Sequence, residues 1–280
     1  MSVQKSPDQY VKVGNVNIRF WAGGDKGTAV ILLHGMGGCV ENWRLNIGAL
    51  AQQHRVYAVD FVGFGRSDKV PAMITPSKYA QFISDLMQTL HIEKASLVGN
   101  SMGGLASLQF AIKFPDKLLK LVLVDSVGIG RETSLSLRLA SLPIVGEFLM
   151  QPSRSGCARF AKAIIYDPAL VTDAFVEFMY QMSSQPGAKR CFLTALRGMV
   201  NFRGVRADVA RLIVDNLGNI KAPTLIIWGK QDRVLPVAQA QVAAKNIPNN
   251  KVQLFDHCGH VAQFEHPEEF NKLVLDFLAG

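Results

Sequence analysis

The chain has 280 residues and a formal net charge of +8, with 49% hydrophobic and 19% charged residues, the balance of an ordinary globular protein of one large domain with an insertion, or of two domains. No window approaches the roughly 18 uninterrupted apolar residues of a spanning helix, and the polar opening Met1 to Asp8 lacks the apolar run of a secretory signal. Eleven Lys/Arg against six Asp/Glu fall between Arg131 and Arg211, but they are scattered singly without a basic run or aromatic–basic interleaving, which argues against nucleic acid as a partner.

In chain order, Tyr10 to Trp21 predicts a hairpin turned at Gly14-Asn15. Thr28 to His34 is a continuous apolar run, as expected of a strand buried on both faces of a parallel sheet. The glycine-rich His34-Gly-Met-Gly-Gly38 follows it, then an expected helix over Leu45–Gln53 and a strand over Arg55–Asp60. Asp60 ends that strand beside Gly63 and Gly65 and reads as a hydrogen-bond acceptor that organises the loop. Thr75–Leu90 reads as a helix. Ala95 to Asn100 is the next strand and leads into a helix from about Met102, and Leu119–Asp125 is another buried strand. Alternation of this kind predicts βαβ units and a mostly parallel sheet flanked by helices.

From about Ile129 to Leu217 the alternation stops, and amphipathic pieces rich in Phe, Met and Leu are broken at Pro143, Pro152, Pro168 and Pro186. This predicts a helical cap over 131–217, inserted between core segments 1–130 and 218–280. Strands resume at Pro223–Gly229 and Val252–Phe255, and a helix over Pro267–Leu278 closes the chain. The four cysteines lie far apart without CxxC spacing, so neither a metal framework nor a disulfide scaffold is expected, and a reducing cytoplasm fits.

The chemistry centres on Gly99-Asn-Ser-Met-Gly103, a match to the G-x-S-x-G nucleophile elbow between a strand and a helix. A serine hydroxyl needs a base that an acid orients. Asp232 follows the strand ending at Gly229, and His260 follows the last strand. Parallel strands deliver such loops to one edge of the sheet. Ser101, His260 and Asp232 are therefore the expected nucleophile, base and acid, with Asp125 the competing acid at another strand end. An oxyanion hole needs two N–H donors, expected from Met102 and Met36. A dinucleotide fingerprint at Gly35 fails because Val40 stands where its third glycine belongs. His257, His260 and His266 lack the carboxylates and helical placement of a metal site, so neither cofactor nor metal is predicted.

These residues resemble the α/β-hydrolase fold over nearly the whole chain. Within it, Gly99-Asn-Ser-Met-Gly-Gly104, Asn42-Trp43, and Cys258-Gly-His260 with Gln263-Phe-Glu-His-Pro267 are similar to the meta-cleavage-product hydrolases, serine enzymes that cut C–C bonds in ring-fission products. That resemblance implies Asn42 and Asn100 as substrate-orienting groups. Two positions depart from it. Val261 stands where the family has Trp after the catalytic His, and Phe178, eight residues before Pro186 of the Gln185-Pro186 pair, stands where its cap has a carboxylate-gripping Arg. Arg190 and Arg197 are the candidate substitutes. The expectation is accordingly a carboxylesterase for small to medium apolar esters, with the C–C hydrolase as the alternative and a non-catalytic ligand-binding protein of the same fold as a third reading. The expected partner is a small-molecule ester or ketone, without nucleic acid or stable membrane association. A homo-oligomer is compatible with the sequence.

Overall fold

The computed structural model describes residues 7–71 and 76–280. The apolar runs become an eight-stranded sheet whose strands, in chain order, are β1 (Gln9–Val13), β2 (Val16–Gly23), β3 (Ala29–Leu33), β4 (Arg55–Val59), β5 (Ala95–Asn100), β6 (Leu118–Val124), β9 (Thr224–Gly229) and β10 (Asn250–Phe255); a separate two-stranded hairpin supplies β7 (Val200–Asn201) and β8 (Gly204–Val205). The order across the sheet is β1-β2-β4-β3-β5-β6-β9-β10. β1 and β2 are antiparallel, as is β2 with β4, and all other neighbours are parallel.

The two-residue period of a strand divides the core into two layers. Ile31, Leu33, Leu97, Leu121, Leu123, Ile226 and Trp228 join the layer on one face. The intervening Val30, Leu32, Val98, Val122, Leu225 and Ile227 join the other. Burying both sets contributes roughly 1.5–3 kcal/mol per large side chain, which is why these strands read as unbroken apolar runs. The first layer is covered by α2 (Pro76–Thr89) and α3 (Met102–Lys113), the second by α1 (Ile47–Leu50), α11 (Ala262–Glu265) and α12 (Pro267–Ala279); α10 (Ala238–Asn246) packs beside β9 and β10.

Two expected helices differ in detail. Leu45–Gln53 yields only the one turn of α1, because its carbonyls are taken up at once by a tight turn: the Leu50 carbonyl accepts from both Gln53 and His54 before β4 begins. The helix expected over Thr75–Leu90 is seen as α2, and Thr75 lies outside the described residues.

Between β6 and β9 run α4 (Leu135–Ala140), α5 (Val145–Leu149), α6 (Arg154–Ile164), α7 (Asp173–Ser183), α8 (Ala188–Met199), the β7–β8 hairpin and α9 (Ala207–Val214). The prolines sit at the breaks between these helices, where a missing N–H costs least. Ser134, Ser153 and Thr172 cap α4, α6 and α7 through their hydroxyls. Within this segment α9 lies against the core: it contacts α3, and Val209, Ala210 and Ile213 are buried there. Among the described residues no helix is long and apolar enough to cross a membrane.

Candidate active site

Ser101 stands between β5 and α3 with φ 55° and ψ −111°, a left-handed conformation that is costly for a side-chain-bearing residue and that clusters at functional sites. The turn is held by Ser101 N–H donating to the Val124 carbonyl at 2.9 Å, while the Ser101 carbonyl accepts from Leu105 and Val127. The flanking glycines are required by close approach. A Cβ on Gly99 would meet the Gly103 carbonyl, and one on Gly103 would meet the Leu33 carbonyl at the end of β3.

The loops after β9 and β10 bring Asp232 and His260 together: His260 Nδ1 lies 2.8 Å from Asp232 Oδ2. The Asp232 side chain is fully buried and that of His260 is 7% exposed. Asp232 Oδ1 accepts from Val234 and Leu235 N–H, so each carboxylate oxygen has a fixed task and the imidazole Nδ1–H is oriented by the acid. The His260 loop is anchored twice, by its own N–H on the Ile164 carbonyl at 2.7 Å and by Asn100.

Asn100 corrects the substrate-orienting expectation. It is buried, and its amide donates to the Val124 carbonyl at 3.2 Å and to the His260 carbonyl at 3.0 Å. Its side chain ties the elbow to the histidine loop. Asn42 Oδ1 accepts from Cys39 N–H at 2.7 Å and so folds the first glycine-rich loop.

That loop also rests on a residue the sequence reading passed over. His34 is fully buried; its Nδ1 lies 2.7 Å from the Gly35 carbonyl and its Nε2 accepts from Phe61 N–H at 3.0 Å. This pattern needs the neutral tautomer with the proton on Nδ1. Burial pulls His34 down to about 4. The signal in the sequence was His34 directly before Gly35 at a strand end. Met36 and Met102 N–H enter no hydrogen bond among the described residues, and Gly35 lies against Ser101 closely enough that a Cβ there would sit 3.2 Å from the Ser101 Cβ. Asp60 organises its loop as expected, accepting from Val40 N–H at 2.6 Å and Arg66 N–H at 2.7 Å. Burial raises it to about 6 in spite of Arg19 at 3.4 Å.

A largely apolar cavity of about 340 Å³ lies between Gly37 and Phe64 of the core loops and α5–α8, walled by Met150, Phe160, Met179, Met182 and Phe192. Neither Ser101, Asp232 and His260 nor Phe178 and Val261, placed at substrate by the sequence, are on this wall; Met179, the neighbour of Phe178, is, and Val261 is buried at the start of α11. The two candidate arginines are also elsewhere. Arg197 is spent on the Ser141 and Leu142 carbonyls and on Glu147. Arg190 is exposed and off the wall. The cations that do line the cavity are Lys69, Arg159 and Lys189. Lys69 donates to the Gly65 and Ser67 carbonyls and Lys189 to Gln151. The Arg159 guanidinium has no partner among the described residues.

A parallel sheet with a strained serine at one strand end, and a buried Asp–His pair delivered by two later strand ends, defines an α/β protein of the hydrolase type. The chain belongs to the Alpha/beta hydrolase family, whose profile matches residues 30–273. It is 32% identical over 261 residues to a 2-hydroxy-6-oxononadienedioate/2-hydroxy-6-oxononatrienedioate hydrolase of Comamonas testosteroni, covering 91% of this chain and 89% of that protein. It is likewise 32% identical, with the same coverage of both chains, to a 2-hydroxy-6-oxo-6-phenylhexa-2,4-dienoate hydrolase of Burkholderia cepacia. A meta-cleavage product hydrolase from Pseudomonas fluorescens IP01 superposes with a TM-score of 0.84 at 27% identity over 97% of both chains. These relatives overturn the carboxylesterase expectation: the compounds they are named for are 2-hydroxy-6-oxo dienoates, not esters. The chain is a hydrolase of the α/β fold.

Proposed function

We propose that this hydrolase cleaves a carbon–carbon bond in a 2-hydroxy-6-oxo-dienoate ring-fission product, with Ser101 as nucleophile, His260 as proton carrier and Asp232 as the acid that orients it. The observation that carries the substrate class is the similarity, over 91% of the chain, to hydrolases named for such compounds.

In the keto tautomer of such a substrate C5 is tetrahedral, and the electrons of the C5–C6 bond can pass into the C3–C4 alkene conjugated with the C2 carbonyl. Ser101 Oγ adds to the C6 ketone as its proton passes to His260 Nε2. The C6 oxyanion is received by Met36 and Met102 N–H, donors fixed in place before the charge develops. Collapse breaks C5–C6 and leaves an acyl group on Ser101. The departing dienolate takes the proton from His260 on oxygen. Water then attacks the acyl-enzyme, giving its proton to His260, which returns it to Ser101. Asp232 holds the imidazolium formed in each half. The apolar wall suits the substituent on C6, and the unpartnered Arg159 suits the carboxylate, since a guanidinium pairs with it through two parallel N–H bonds. Asn42, whose amide NH2 is unused, is the remaining polar group for orienting substrate at the loop.

The test is a comparison of wild type and Ser101→Ala on 2-hydroxy-6-oxo-6-phenylhexa-2,4-dienoate, following loss of the dienolate absorbance. Turnover should fall by several orders of magnitude. A variant that retains wild-type turnover refutes the proposal.

A further inference from the structure

The acid that orients His260 has a second carboxyl group against it. Asp125 directly follows β6 in a left-handed conformation with φ 45°, a strained choice for a residue with a side chain. It is fully buried. Its Oδ1 accepts from Gly229 N–H at 2.9 Å, while its Oδ2 has no hydrogen-bond donor. One carboxylate oxygen each from Asp125 and Asp232 and one ring nitrogen of His260 lie within 4.8 Å of one another. Two buried carboxylates at this separation cannot both ionise cheaply, and the arrangement is relieved when one carries a proton and donates it to the other. Asp232 is already committed to accepting three donors, from His260, Val234 and Leu235. The orphaned oxygen is on Asp125.

We propose that Asp125 is a positioning residue: its carboxyl is protonated and donates through Oδ2 to Asp232, so that the pair carries one negative charge and Asp232 is held on His260 Nδ1. The other ionisable groups around it point the same way. Glu265 on α11 and the Cys258 thiol face the cluster, and among the described residues no Lys or Arg is a leading influence on it. Burial first, and then the Asp232 charge, push the Asp125 carboxyl well above the usual carboxylate range. Glu265 is committed elsewhere, accepting from Gly259 and Tyr166 N–H. Asp125 therefore acts as a neutral donor behind the acid, not as a rival for the histidine. It leaves the imidazole facing a single anion.

The role rests on the reading of Ser101, His260 and Asp232 as the reacting set, and its test is read without substrate so that the two fail separately. His260 is titrated by NMR through its labelled imidazole in wild type and in Asp125→Asn. Asparagine is neutral and retains both the acceptor for Gly229 and a donor for Asp232, so the His260 midpoint should move by no more than about half a pH unit. An ionised Asp125 at this distance would instead have been raising that midpoint by about 2.5 pH units at an effective dielectric of about 20, and its removal would lower the midpoint accordingly. A fall greater than half a unit overturns the proposal. Infrared spectra give a check on wild type itself, at pH 8, where Asp60 is ionised. A protonated-carboxyl C=O band is expected there and should persist in Glu265→Gln. Its absence from wild type, or its loss in Glu265→Gln, overturns the proposal even if Asp125→Asn does not fold. In turnover, Asp125→Ala should lower kcat at least about tenfold with KM unchanged, and Asp125→Asn should restore it.

Discussion

Replacing Asn100 with alanine separates a brace from a substrate contact. In the wild type one amide donates to two carbonyls, those of Val124 and His260. The Val124 carbonyl keeps a second donor, Ser101 N–H, so its loss is the net worth of one bond, about 1 kcal/mol. The His260 carbonyl has no other donor among the described residues, and leaving it buried and unpaired costs about 1–3 kcal/mol. The sum is roughly 2–4 kcal/mol, which for a chain of this size lowers Tm by roughly 5–15 °C. The same change frees the loop carrying His260, and a displacement of about 1 Å at a reacting group can cost about 100-fold in rate. Thermal melts and steady-state kinetics on a dienoate measure both effects. The expected result is a lower Tm and a kcat reduced by about two orders of magnitude with KM little changed. An unchanged Tm with a tenfold or larger rise in KM would show that Asn100 binds substrate and that the bracing argument is wrong.

Other outcomes follow from the same geometry. Asp232→Asn should lower kcat on the order of 10⁴-fold by analogy with serine proteases, because the amide can present its NH2 to Nδ1 and favour the wrong tautomer; a mild effect, with Asp125→Asn the damaging change, would reassign the acid. Arg159→Ala should raise KM for a dienoate by about 10- to 100-fold while leaving its methyl ester, which lacks the charge, unaffected; equal effects on both would remove Arg159 from carboxylate binding. His34 titrates near 4 in the folded chain and near 6.5 unfolded, so between these values the unfolded state binds the extra proton. Its contribution to stability is complete above about pH 6.5 and is lost as the pH falls toward 4, by up to about 1.4 kcal/mol per unit. Denaturant melts of wild type and His34→Gln should therefore converge over that window, and parallel curves would contradict the neutral tautomer.

The sheet was legible because β3, β5 and β9 are buried at every position, and burial on both faces forces unbroken apolar runs. The meeting of Asp232 with His260 was legible for a topological reason: parallel strands bring their ends to one edge. The direction in which a side chain points at such an edge was not. Asn100 turns toward two carbonyls instead of the cavity, and nothing in Gly99-Asn-Ser distinguishes these. The cavity wall was less legible still, because the rotations of α6, α7 and α8 decide between Phe178 and Met179, which are one residue apart, and between Arg159, Arg190 and Arg197. Spacing along the chain leaves that rotation open when several faces are apolar. The ester expectation gave weight to two departures, Phe178 and Val261, and it is the similarity over 91% of the chain to dienoate hydrolases that overturns it.

The most direct measurement compares kcat/KM of the wild type for 2-hydroxy-6-oxo-6-phenylhexa-2,4-dienoate and for p-nitrophenyl butyrate under one set of conditions. Carbon–carbon hydrolysis as the activity of this site predicts a preference for the dienoate of at least about tenfold, within the scale of pairing the exposed Arg159 guanidinium with the substrate carboxylate. A preference for the ester, with the dienoate turned over slowly or not at all, would contradict it.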